Sequence, residues 1–184
     1  MKVICVGDSI TYGQNVRADE AWPAVLARKA GWDVRNEGVC GDTTRLGLER
    51  FPKAVQLHKP DVVVLQFGHN DANCWDTDLG EPRVSLNGYV ANLHEMAARA
   101  YAAGAECVRL LKPHIAPGRD GRYNGRLLVY ASAIVEGVSA PDVSILDDGY
   151  GLHPDQRMHT RYADLVLSEV TVGHRPSIPD ECAW

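Results

Sequence analysis

The chain has no apolar run approaching the roughly 18 residues a membrane-spanning helix needs, so no membrane insertion is expected. It has no cluster of Lys and Arg. With a net charge of -5 and a pI near 5.8, nucleic acid is not expected as a partner. It has no C-x-x-C pair. Its five cysteines, Cys5, Cys40, Cys74, Cys107 and Cys182, are odd in number and widely spaced. Cys5 and Cys107 lie in strand-like runs and read as reduced core residues, so a cytoplasmic compartment fits best. The first strand-like run begins at Lys2, which leaves no room for a signal peptide in this chain. His69, Asp71, Cys74 and His159 lack any metal-ligand spacing, so no metal is expected. There is no internal repeat, low-complexity tract or linker. The expectation is one domain over residues 1–173 and a tail over 174–184.

What is present begins at the N-terminus. Val3, Ile4, Cys5 and Val6 form a short run of β-formers, suited to a strand buried on both faces. The run stops at Gly7-Asp8-Ser9, where glycine permits a sharp turn and Asp8 and Ser9 suit a helix N-cap. Taken alone, this tripeptide is equally a polar turn. A helix is expected over Ala21–Ala30 and a strand over Asp33–Asn36. A second glycine-bearing turn, Glu37 to Thr44, leads into a helix through Leu46 and Leu48. Asp61 to Phe67 is the strongest strand, ending in Gly68-His69-Asn70-Asp71. Ser85 caps a helix to Ala103, whose apolar residues recur at i, i+3, i+4 and i+7. Cys107–Leu111 is a fourth strand, His114 to Tyr123 a loop, and Asn124 to about Glu136 a helix. Val143–Leu146 is a fifth strand, leading to Asp147, Asp148 and His153, and Asp155–Val172 is the last helix.

Alternating strands and helices predict a parallel sheet covered on both faces. Polar clusters then collect at the carboxyl ends of four strands: Ser9; Gly38 and Gly41; His69, Asn70 and Asp71; Asp147, Asp148 and His153. That rim is where doubly wound folds keep their sites. The residue types suit acyl transfer. A serine hydroxyl needs a base, for which His153 is the candidate. The oxyanion needs donors, which the N–H groups of Ser9 and Gly41 and the Asn70 amide can supply. A carboxylate after the fifth strand would orient the imidazole. Asp8 reads as a helix cap and Asp71 as an anchor for the Asn70 loop. Cys40 has nothing to mark it as a nucleophile.

These residues resemble the SGNH hydrolases, the GDSL-type esterases and lipases. Gly7-Asp8-Ser9 matches the first block, Asn36 to Thr44 resembles the second, Gly68-His69-Asn70-Asp71 the third, and Leu152-His153-Pro154 the fifth. The resemblance covers nearly the whole chain. It implies a three-layer α/β/α, flavodoxin-like fold with a five-stranded parallel sheet. It implies Ser9 as nucleophile, His153 as base, and an oxyanion hole of Ser9, Gly41 and Asn70. Substrate contacts are expected from His69, Trp75 and Arg83, the last alternatively pairing with Asp78 or Glu81. The family's acid normally stands three residues before the histidine, where this chain has Tyr150. Asp148 takes that role if the loop bulges at Gly149 and Gly151, with Asp147 as the alternative. Otherwise a backbone carbonyl orients His153, leaving a dyad, or the site is weakened. The expected reaction is hydrolysis of a small-molecule ester with a short acyl group, without cofactor. A lysophospholipase or thioesterase is the neighbouring possibility. A non-catalytic SGNH or flavodoxin-like domain that binds a ligand is a third. A homo-oligomer is compatible with this reading.

Overall fold

The computed structural model describes residues 1–134 and 152–171. The expected fifth strand, Asp147, Asp148, Tyr150 and the tail over 174–184 lie outside the described residues. Among those described, four parallel strands pair in the order β2-β1-β3-β4. They are β1 (Lys2–Gly7), β2 (Asp33–Gly38), β3 (Val62–Gln66) and β4 (Cys107–Leu111). Every residue of β3, and every residue of β1 after Lys2, is buried, as the uninterrupted apolar runs require.

Alternate side chains of the central strands feed two cores. Ile4, Val6, Val63 and Leu65 pack under α3 (Thr44–Ala54), α4 (Leu86–Ala102) and α5 (Gly121–Ala133), with Phe51, Tyr89, Met96 and Leu127 as the large contributors. Val3, Cys5, Val62 and Val64 pack on the other face with Ile10 of α1 (Ser9–Tyr12), Trp22 and Leu26 of α2 (Trp22–Ala30), and Met158 and Tyr162 of α6 (Gln156–Thr171). The result is the expected three-layer α/β/α arrangement. No described helix is long and apolar enough to cross a membrane.

Two of the boundaries that differ from the sequence expectation have a clear physical cause. β2 runs on to Gly38, paired with Gly7, instead of stopping at Asn36. A glycine there signals a turn, yet its function is space: a Cβ on Gly38 would stand 2.1 Å from the Tyr12 nitrogen. The bare backbone lets α1 lie against the strand. α5 starts at Gly121, three residues early, because the Asp120 side chain accepts a hydrogen bond from the Tyr123 N–H at 2.8 Å and caps the first turn.

His159 is not brought to the rim residues. It is buried under α2, where its Nδ1 accepts the Trp22 N–H at 3.2 Å. Ala21 provides no side-chain cap, so the histidine satisfies an otherwise orphaned donor. Burial lowers its pKa from 6.5 to about 4. The unfolded chain therefore takes up this proton first as pH falls. The contribution of the neutral ring is complete above about 6.5 and is lost progressively towards 4. At about 1.4 kcal/mol per pKa unit, roughly 3 kcal/mol is at stake. Buried Asp8 and Asp71 are raised instead, so they pull the opposite way. Comparing wild type with His159→Asn isolates the histidine. The wild-type advantage in urea unfolding should shrink by about 3 kcal/mol between pH 7 and pH 4. A pH-independent difference would show that the ring is not held neutral.

Candidate active site

Ser9 stands where β1 gives way to α1. Gly7 allows the turn, since a Cβ there would lie 2.2 Å from Thr11 Oγ1 and 2.4 Å from the Gln66 carbonyl oxygen. Asp8 caps the helix as expected, its Oδ1 accepting the Ile10 N–H at 2.9 Å. Burial, reinforced by the charges of Asp71 and Asp42, pushes the Asp8 carboxyl up to about 7. Ser9 Oγ lies 3.0 Å from His153 Nε2, a contact spanning 144 residues of sequence. This is the hydrogen bond that makes a serine nucleophile possible.

The second and third blocks form one tied unit. Gly41 has φ +83°, a left-handed conformation that favours glycine. The Asn70 side-chain Nδ2 donates to the Asp42 carbonyl at 2.9 Å. That leaves its second amide hydrogen for another acceptor. Asp71 accepts the Thr44 N–H at 3.0 Å and the Thr44 hydroxyl at 2.5 Å, so it anchors the start of α3. Burial raises the Asp71 carboxyl to about 6 against the lowering effect of these bonds.

Arg50, which the sequence reading passed over, holds the same region from behind. Its Nε donates to Asp42 Oδ2 at 2.7 Å, and its Nη2 to the carbonyls of Glu37 at 2.8 Å and Gly7 at 3.3 Å. One guanidinium thus gathers the ends of β1 and β2 and the loop after them.

The three expected substrate contacts fall in different settings. Arg83 Nη1 donates to the Gly41 carbonyl at 3.2 Å, and its guanidinium lies 4.8 Å from the centre of the Trp75 ring. Trp75 is 58% exposed beside it. His69 is buried instead, with Nδ1 3.1 Å from the Tyr123 hydroxyl and Nε2 unpartnered among the described residues. Burial, with His114 and His153 nearby, drives its pKa well below 6.5. A neutral His69 adds no repulsion when the neighbouring His153 charges. Cys40 is exposed, and partial burial with the Asp8 and Asp42 charges raises its thiol, against a nucleophilic role. Among the described residues no group of His, Cys, Asp and Glu could hold a metal.

A parallel sheet carrying this serine, histidine, glycine and asparagine along one rim defines the SGNH class of hydrolase. The GDSL-like lipase/acylhydrolase family profile matches residues 5–166, and the chain belongs to that family and is a carboxylic ester hydrolase. An arylesterase of Vibrio mimicus is 26% identical over 191 residues, covering 92% of this chain and 88% of that protein. The esterase TesA of Pseudomonas aeruginosa is 32% identical over 126 residues, covering 66% of this chain and 58% of that protein. The solved structure of the acetylxylan esterase Axe2 from Geobacillus stearothermophilus superposes with a TM-score of 0.73 at 21% identity, covering 95% of this chain and 94% of that one.

Proposed function

We propose that this chain hydrolyses short-chain carboxylic esters through an acyl-enzyme on Ser9, with His153 as the base. The observation that carries the reading is the 3.0 Å contact between Ser9 Oγ and His153 Nε2, within reach for direct proton transfer. His153 takes the hydroxyl proton as Oγ attacks the ester carbonyl carbon. The resulting oxyanion is bound by the N–H groups of Ser9 and Gly41 and by the second amide hydrogen of Asn70. Collapse breaks the ester bond, and the leaving alkoxide takes the proton from His153. Water then attacks the acyl-enzyme, with His153 again accepting a proton, and the free acid and Ser9 are released. No cofactor takes part.

Asp148 is assigned to orient the imidazole, with a Ser9–His153 dyad as the alternative. Arg83 and Trp75 flank the oxyanion loop and are assigned to the alcohol side of the ester. His69 lines the same wall. The sequence has no lid-sized insertion, which supports a small acyl pocket. Free thiols at Cys5, Cys40, Cys74 and Cys107 support a cytoplasmic location.

The relative named an arylesterase makes p-nitrophenyl esters the first probe. Across acyl chains from acetate to decanoate, kcat/KM should be highest at two to four carbons and fall about tenfold or more by eight. A steady rise towards decanoate would reject the short-acyl assignment and favour the lysophospholipase or thioesterase type. A phosphonate probe should add to Ser9, read by intact mass and peptide mapping. Neither adduct nor turnover would sink the assignment of Ser9 and turn attention to ligand binding.

A further inference from the structure

The sequence places polar clusters after four strands and none after the fourth. The structure puts His114 there, three residues beyond the end of β4. It is buried, and its ring bridges two parts of the site. His114 Nε2 lies 3.1 Å from the carbonyl oxygen of Leu152, the residue before His153. A carbonyl only accepts, so the hydrogen sits on Nε2. Nδ1 lies 2.9 Å from the Tyr162 hydroxyl of α6, and in the neutral tautomer with its hydrogen on Nε2 it accepts from that hydroxyl. The chain of bonds runs one way, from the Tyr162 O–H into the ring and from the ring into the backbone of the base segment. Tyr162 thereby selects the tautomer that His114 needs.

The His114 ring also packs on the oxyanion side. Its centroid is 4.4 Å from that of His69, the residue before Asn70. The preceding residue, Pro113, closes on Gly68 so tightly that a Cβ on the glycine would stand 2.9 Å from Pro113 Cγ. On its far side His69 meets Tyr123, whose hydroxyl donates to the His69 carbonyl at 3.2 Å. His69 Nδ1–H can then donate to the Tyr123 oxygen. His114 therefore touches the neighbours of both the base and the third oxyanion donor.

We propose that His114 is a positioning residue, which holds the His153 segment in register with the Asn70 loop through the Nε2–H bond to Leu152. The proposal rests on the reading of Ser9 and His153 above. A satisfied core histidine with no such role would affect stability alone. Positioning affects turnover, because the base and the oxyanion donors must be aligned at the same moment.

The test compares His114→Leu, His114→Gln and Tyr162→Phe with wild type and Ser9→Ala on p-nitrophenyl acetate, with Tm measured for each. His114→Leu should lower kcat on the order of 30-fold with KM within about twofold. His114→Gln, which returns an N–H donor to the Leu152 carbonyl, should recover kcat to within about fivefold of wild type. Tyr162→Phe should lower kcat by about three- to tenfold, again with KM held. The proposal is overturned if His114→Leu keeps wild-type kcat, or if the glutamine variant loses as much as the leucine one. Should the leucine variant not fold, an unchanged kcat in Tyr162→Phe overturns it. Activity surviving in Ser9→Ala would remove the underlying reading and this proposal with it. An inactive Ser9→Ala beside a fully active His114→Leu would remove this proposal alone.

Discussion

The Ser9→Ala protein is expected to turn over p-nitrophenyl acetate about 10⁴- to 10⁶-fold more slowly than wild type, with its Tm essentially unchanged. Ser9 is 8% exposed and its Oγ is the only side-chain atom the variant removes, so little packing is lost. The chemistry loses its covalent intermediate. Any residual rate must come from the oxyanion donors and bound water, which alone leave far less acceleration than the full constellation. Phosphonate labelling should vanish in parallel. Asp148→Asn belongs in the same experiment. A further large loss there identifies Asp148 as the acid that orients His153, while near-wild-type activity identifies a dyad. Retained turnover in Ser9→Ala would mean that another nucleophile acts, and the acyl-enzyme scheme would have to be abandoned.

The second large effect is on stability and comes from a residue with no side chain. Gly38→Ala should destabilise the fold by at least about 3 kcal/mol and lower Tm by roughly 10 °C. Its added methyl would meet Tyr12 N at 2.1 Å, Thr11 C at 2.6 Å and Tyr12 Cα at 2.7 Å, all backbone atoms. No rotamer change can relieve that. Relief requires α1 to move off β2, and α1 begins with Ser9, so activity should fall further than the unfolded fraction explains. Gly125→Ala is the internal control. Its Cβ would meet nothing within 4 Å on the exposed face of α5, and alanine in a helix interior should be neutral or stabilising by up to about 1 kcal/mol. Thermal melts that place the two variants together would reject the argument.

Local patterns that coincide with physical necessity were readable from the sequence. The buried runs of β1 and β3, the caps at Asp8 and Ser85, and the whole of β4 follow from residue types a few positions apart. Asp71 reads as a loop anchor because a carboxylate beside Asn70 has more use as a tie than as a base, and Thr44 is where it ties. Features that depend on distant partners were not readable. Nothing near His114 announces that its ring meets Leu152, 38 residues away, or Tyr162, 48 away. Arg50 looks like any polar residue on an amphipathic helix until the carbonyls of Gly7 and Glu37 are seen to converge on it. Gly38 misleads for a related reason, since glycine signals a turn in one dimension and a close approach in three.

The placement of β1 between β2 and β3 also bears on how the protein breathes. Its backbone amides have sheet partners on both sides, and its side chains are sealed beneath helices on both faces. Hydrogen–deuterium exchange at Ile4 to Val6 should therefore proceed only through global unfolding, whereas at β2, whose only described strand neighbour is β1, partial fraying suffices. Ser9, the proposed nucleophile, is attached to the part of the molecule that should open last. On warming, its platform should outlast the alignment of the groups around it, and catalytic failure should precede exposure of the central strands.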